Sequence, residues 1–485
     1  MDTRSAGPQP GRLRGRKPRW SRFRLSLEHG LLAGLILLAA LPFACRRRVD
    51  EHRTVLRFWS GGRPQERKLF TEAARAFEEM HPGVKIKLEV PGQGQGWGKI
   101  LTAMQAGSCG DVLFVHWTVI PTLASKRCLL RLDDLARRDD YDLSDFFPGG
   151  IEAYSYRDAL YALPFKGSTM VMFYNKDLFD EAGLPYPTDD WTWDDLLRAA
   201  KKLTRTDGTG RMTQVGCLPY DPSTWVWSGG GEFADDACEH VYFTSDATLK
   251  GLEFYEGLRN RWKVATRNMT LGGADPMAVD VFERGHVGMD ISGPWRLPKY
   301  MRASEQRSLR WDIALMPRGP AGRQTRYAGM GIAVWADSPR KQLAWEFSKY
   351  LCGPEAMRRF SEGWLDIPAR RSLAYGTFGR QEAPFDVQVL LRSMEPAHGR
   401  VRVYPKSDRW GEIFRFFRQE YGGALIGRQT VAEAMTAAEE KVQRYLAEKA
   451  ATAGTCDYVG IALLALLGVG VTLWRLRRSG REGRS

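Results

Sequence analysis

The chain has 485 residues, 43% hydrophobic and 26% charged, which excludes a disordered or fibrous protein and leaves room for more than one compact unit. Its net charge of +14 invites a nucleic-acid partner until the charge is located: residues 1–24 carry +7, Arg46 to Arg48 carry +3, residues 475–485 carry +4 and Glu28 subtracts one, leaving residues 49–474 near neutral. A neutral body between basic ends argues against nucleic acid and for arginines flanking membrane segments, where positive charge stays on the cytoplasmic side.

The first such segment follows a basic leader, residues 1–29, and runs uncharged and mostly apolar from Gly30 to Ala44. It has the form of a signal-sequence core or a short N-terminal anchor over 30–45. Leu41-Pro42-Phe43-Ala44-Cys45 is similar to a lipobox, with Pro42 and Phe43 departing from the pattern and Arg46 to Arg48 resisting export. An uncleaved anchor, a lipidated Cys45 and a cleaved peptide therefore all stay open, and each puts the body outside the cytoplasm.

Thr54 to Trp59 has strand composition and ends before Gly61-Gly62, and Glu66 to Met80 then repeats apolar residues at helical spacing (Leu69, Phe70, Ala73, Ala74, Phe77) until His81-Pro82-Gly83 stops it. Val84 to Val90 alternates as a strand, a glycine-rich loop follows, Ile100 to Gln105 opens a second helix, and Asp111 to Val115 is another strand. This βαβαβ order predicts a parallel sheet with helices packed on it. The loop Gly92 to Gly98 fails the dinucleotide fingerprint, because GxGxxG would need glycine where Trp97, Lys99 or Leu101 stands. A phosphate-binding P-loop, a GxSxG elbow and an HExxH zinc motif are also missing from the sequence.

From Tyr161 the α/β texture begins again, with a strand over Met170 to Tyr174, a helix from Lys176, and another over Trp191 to Leu203 that Asp190 or Thr192 can cap. The seven cysteines (45, 109, 128, 217, 238, 352, 456) form no CxxC pair and no Cys/His cluster, so neither a metal nor any other cofactor is expected. Cys217 with Cys238 is a possible disulfide in an oxidising compartment, with buried free thiols as the alternative. Near the end, Tyr458 to Trp474 is apolar on every face. Its length of ~25 Å at helical rise is slightly short of a ~30 Å hydrocarbon core, but the expectation is a C-terminal transmembrane helix followed by a basic tail over 475–485.

Several stretches carry a family resemblance in order. Tyr161-Ala162-Leu163-Pro164, Phe173 to Phe179 with Ala182-Gly183-Leu184, and Trp191 to Leu197 make up the first group. Phe282 to Met289 with Gly293-Pro294-Trp295, Ala344 to Phe347 with Leu351, and Ile367-Pro368-Ala369-Arg370 make up the second. Together they resemble the bacterial extracellular solute-binding proteins of the carbohydrate type, receptors for ATP-driven sugar importers. The resemblance implies a two-lobed α/β periplasmic-binding-protein fold of type II, with a hinge and an interlobe cleft, to which the terminal membrane segments are added. It places lobe one over 53–163 and 322–372, lobe two over 166–320 and 375–450, and the first crossing near Pro164 to Lys166.

A sugar needs flat aromatic platforms for its C–H faces and fixed donors and acceptors for its hydroxyls. Trp59, His116 and Trp117 follow strands at the expected crevice side, and Trp225 and Trp227 sit in the turn-rich stretch Tyr220 to Gly230. By the resemblance, Trp295 is a stacking platform, Ser168 a sugar contact, Gly329-Met330-Gly331 a close-approach loop and Trp364 a further aromatic candidate. Asp221 is a candidate hydroxyl acceptor. The expected function is capture of a sugar or oligosaccharide and delivery to the permease of an ABC importer, with the body on the outer face of the cytoplasmic membrane. A membrane-anchored ligand sensor is one alternative. A hydrolase using Asp221, Asp290 or Glu362, and a structural or adhesion role, are the others.

Overall fold

The computed structural model describes residues 53–90, 98–266, 281–362 and 367–451. The segments 30–45 and 458–474, both basic ends, Cys45, Cys456, most of the Gly92 to Gly98 loop and Trp364 lie outside those residues. Among the described residues no helix is long and apolar enough to cross a membrane.

In chain order the strands are β1 Thr54–Trp59, β2 Val84–Glu89, β3 Val112–His116, β4 Ser155–Tyr156, β5 Ala159–Leu160, β6 Ala162–Thr169, β7 Val171–Asn175, β8 Arg205–Thr206, β9 Met212–Pro219, β10 Val287–Ser292, β11 Trp311–Ala314, β12 Gln324–Val334, β13 Ile367–Pro368 and β14 Arg400–Arg402. They form two main sheets. The first has the order β13-β6-β12-β3-β1-β2, with β14 paired to β12, and the second has the order β11-β7-β10-β9-β8. The pair β1–β3 is parallel, as the opening βαβαβ order requires, and β12 inserts antiparallel between β3 and β6. Each lobe is thus a mixed sheet covered by helices.

Local chemistry accounts for the elements. The helix Pro64–Met80 begins with proline at its first position and Glu66 accepting the Arg63 N–H at 2.6 Å, and it buries Phe70, Ala73, Ala74 and Phe77 at a spacing of three and four. Phe70 meets Phe58 of β1 and Phe114 of β3 edge-on, with centroids 5.1 and 5.0 Å apart. Thr192, rather than Asp190, caps the helix Trp193–Leu203 in a reciprocal box with Asp195. Every residue of β7 is buried, which accounts for its apolar run from Val171 to Phe173.

The first passage between the sheets lies at Met170 rather than at Pro164 to Lys166. Strand β6 keeps its pairing with β12 as far as Thr169, and β7 begins at Val171, so a single residue joins the lobes. Met170 is held there by its N–H donating to the Arg326 carbonyl at 3.3 Å and its carbonyl accepting from Thr325 Oγ1 at 2.8 Å. The chain returns through 315–323 into β12. The helix Val387–Ser393 adds no strand, but its Ser393 hydroxyl accepts from Thr169 Oγ1 at 2.6 Å, and the chain enters the core of the second lobe only after β14, with the helix Trp410–Leu425. Residues 400–402, expected in lobe two, belong to the first sheet, because the start of β12 offers backbone for parallel pairing with β14. Cys217 and Cys238 are free buried thiols of the second lobe, and burial pushes both up to about 12.

Candidate functional site

A cavity of about 420 Å³ opens between the two sheets. Its floor is a piece of regular sheet: His116 ends β3, Met330 of β12 pairs with both His116 and Lys166, and Ser168 of β6 pairs with Ala328. Gly329, Met330 and Gly331 therefore form no loop. They lie within β12, where the register of the pairing with β6 shifts between Met330 and Gly331 without the strand leaving the sheet.

The opposite wall comes from turns. Tyr220, Asp221 and Pro222 follow β9, and Trp295 follows β10 in the short 3-10 turn Pro294–Arg296. Strands β9 and β10 are parallel neighbours, so both turns lie at the carboxyl edge that faces the crevice. Trp295 is half-buried, and its ring lies over Gly293 so closely that a Cβ there would sit 2.0 Å from it. Tyr220 approaches Trp295 with centroids 5.4 Å apart and planes at 58°. The helix Trp410–Leu425 adds Phe414 and Arg418, and Tyr404 adds a further ring.

The polar groups of the cavity are cross-linked. Arg326 Nε donates to Asp221 Oδ2 at 2.9 Å, with both side chains buried, and the guanidinium lies over the rings of Tyr220 and Tyr404 at 5.8 and 5.9 Å. The other Asp221 oxygen accepts from the Ser223 N–H at 2.9 Å and from the Ser223 hydroxyl. Lys166 Nζ donates to Glu66 Oε1 at 2.5 Å. Burial pushes the Glu66 carboxyl up, but Lys166 and Arg63 outweigh it and hold the group below its ordinary value. Burial, together with the Arg326 and Lys166 charges, pushes the His116 imidazole down to about 3, so the ring is neutral at pH 7. Its Nδ1 lies 2.8 Å from Thr118 Oγ1.

The structure brings His116, Ser168, Asp221, Trp295 and Met330 to the cavity. It does not bring Trp59, Trp117, Trp225 or Trp227. Trp59 pairs in register with Leu113, three residues short of His116, and its Nε1 donates to Glu89 at 3.0 Å. Trp117 is buried behind Tyr404, on which it stacks at 5.3 Å. Trp225 and Trp227 are buried in the second lobe because the turn signals around them enclose a helix, Ser223–Ser228. Gly251 lets the helix Asp246–Arg259 press on that segment, since a Cβ at Gly251 would lie 2.5 Å from the Val226 Cα. Asp290 is buried against Arg296 at 3.6 Å and Tyr300, and Glu362 pairs with Arg358 at 2.9 Å, so neither acid lines the cavity.

Sequence reasoning missed Thr118, Tyr220, Arg326, Tyr404, Phe414 and Arg418 as lining residues, and it treated Lys166 only as part of the crossing. Tyr220 had a local signal, since it adjoins Asp221 in a turn-rich stretch. Arg326 and Tyr404 are more than 100 residues from Asp221 in sequence and are recruited by the return passages.

The profile of the bacterial extracellular solute-binding proteins matches residues 62–358, more than half of the chain. A mannitol-binding protein of Pseudomonas aeruginosa is 32% identical over 406 residues, covering 76% of this chain and 88% of its own length. A galactooligosaccharide-binding protein of Bacillus subtilis is 26% identical over 311 residues, covering 62% and 70%. Among solved structures, an ABC substrate-binding protein from Listeria monocytogenes in complex with cycloalternan superposes with a TM-score of 0.71 at 23% identity, over 81% of this chain and 99% of its own. A sugar-binding protein from Xanthomonas citri gives 0.69 at 23% identity, over 82% and 98%. The match in fold agrees with the two-lobed type II architecture, and the chain belongs to the family of bacterial extracellular solute-binding proteins.

Proposed function

We propose that this protein binds a carbohydrate or sugar alcohol in the cavity between its lobes and hands it to the permease of an ABC importer, without altering it. The observation that carries this is the make-up of the cavity: the exposed part of Trp295, backed by Gly293 and flanked by Tyr220, faces a sheet floor that presents His116, Lys166 and Ser168. An aromatic plane opposite fixed polar groups suits a ring or polyol with one apolar face and a hydroxyl rim. The mannitol- and galactooligosaccharide-binding relatives support that ligand class.

Binding without turnover is supported by Asp221, whose two oxygens are occupied by Arg326 and Ser223. Glycoside hydrolysis uses a pair of carboxyl groups placed on either side of the bond. The segments 30–45 and 458–474 support a body held at the outer face of the cytoplasmic membrane. The test is thermal unfolding of the full chain with mannitol and with neutral sugars of one to four rings, followed by chromatography of the recovered ligand. A concentration-dependent rise in Tm with the ligand returned intact is the expected result. Conversion of the ligand, or no rise with any of these solutes, would sink the proposal.

A further inference from the structure

The cavity ends at an aromatic partition. Tyr404 stacks on Trp117 of lobe one at 5.3 Å and 22°, and its ring lies 5.7, 5.3 and 5.2 Å from Trp227, Trp410 and Phe414 of lobe two. On one side it lines the 420 Å³ cavity. On the other it lines a second space of about 10 Å³, whose further walls include Trp117, Glu152, Lys406 and Trp410. Thr118 and Tyr404 border both spaces.

We infer that Tyr404 is the residue that limits ligand length, closing the site on the side of Glu152 and Lys406 to sugars of more than two rings. This rests on the carbohydrate proposal above and adds a size class to it. At protein packing density a hexose ring takes on the order of 200 Å³, so the cavity holds about two rings, and a third placed toward Glu152 and Lys406 would meet the Tyr404 ring. Removing the phenol ring joins the two spaces and opens the cleft toward Glu152 and Lys406, both of which line the smaller one.

The experiment is calorimetric titration of the full chain and of Tyr404→Ala with three series of neutral sugars, gluco, manno and galacto, each from one to four rings. In the series that binds, the wild type should bind one or two rings at least about tenfold more tightly than three. Tyr404→Ala should reduce that preference to about twofold or less. Wild-type affinity that holds or rises at three and four rings would overturn the inference while leaving sugar binding intact. A folded Tyr404→Ala with unchanged length preference would overturn it equally. Binding in none of the series would overturn this inference and, should mannitol also fail to bind, the carbohydrate proposal with it. Should Tyr404→Ala fail to fold, Tyr404→Leu keeps apolar packing against Trp117 and shortens the ring, and the same two criteria apply to it.

Discussion

The two lobes meet the ligand cavity with different kinds of structure. Lobe one offers the middle of a sheet, three adjacent strands whose side chains His116, Lys166, Ser168 and Met330 are fixed by backbone pairing on both sides of β12. Lobe two offers the ends of strands, with Tyr220, Asp221 and Trp295 carried on turns after β9 and β10. A floor held by a ladder of hydrogen bonds has one shape, whereas turn-borne residues can change chemistry without disturbing a sheet. In the proposed site lobe one thus supplies fixed polar groups and lobe two the turn-borne aromatic plane.

That contrast can be broken in graded steps. The largest effect is expected at the joint, where Arg326 of the first sheet meets Asp221 of the second lobe. Asp221→Ala leaves a buried guanidinium without its carboxylate, and urea unfolding should show a loss of about 3–5 kcal/mol. A loss below about 1 kcal/mol would mean that the pair does not hold the lobes together. Next is the wall: Trp295→Ala should weaken the solute that shifts the wild-type Tm by about 2 kcal/mol, roughly thirtyfold, and change the ligand-free Tm little. Equal losses of stability and affinity would erase the distinction between floor and wall.

The smallest effect belongs to the floor. His116 titrates at about 3 when folded, against about 6.5 when unfolded, so between these values the unfolded chain binds more protons. Its contribution is present above about pH 6.5, declines as pH falls through that window, and levels off below about 3. The slope is at most about 1.4 kcal/mol per pH unit, and the opening of the ring toward the cavity reduces it. Urea midpoints at pH 7 and pH 4.5 should therefore fall less in His116→Gln than in the wild type.

How much of this was legible in the sequence follows the same division. The strands of lobe one and its first helix can be read from alternation, the 70-73-74-77 spacing and the His81-Pro82-Gly83 stop, because those signals are local. Trp295 was reachable through Gly293-Pro294-Trp295, a motif short enough to survive without its surroundings. Trp225 and Trp227 misled because proline and paired glycines mark where a segment turns, not which way its side chains face. Six residues between Pro222 and Gly229 sufficed for a buried helical turn. Arg326 and Tyr404 had no local signal, since their place depends on passages of chain that return from far along the sequence.

The one-residue link at Met170 has a mechanical consequence. A peptide unit spans 3.8 Å between consecutive Cα atoms, and this one is pinned on both sides by β12. Sheets joined so tightly cannot slide or draw apart at that point, so a displacement between them is expected to turn about it. Its amplitude grows with distance from Met170. A pair of distance reporters beside the link would register almost nothing, whereas the same pair across the far rim would read the whole swing.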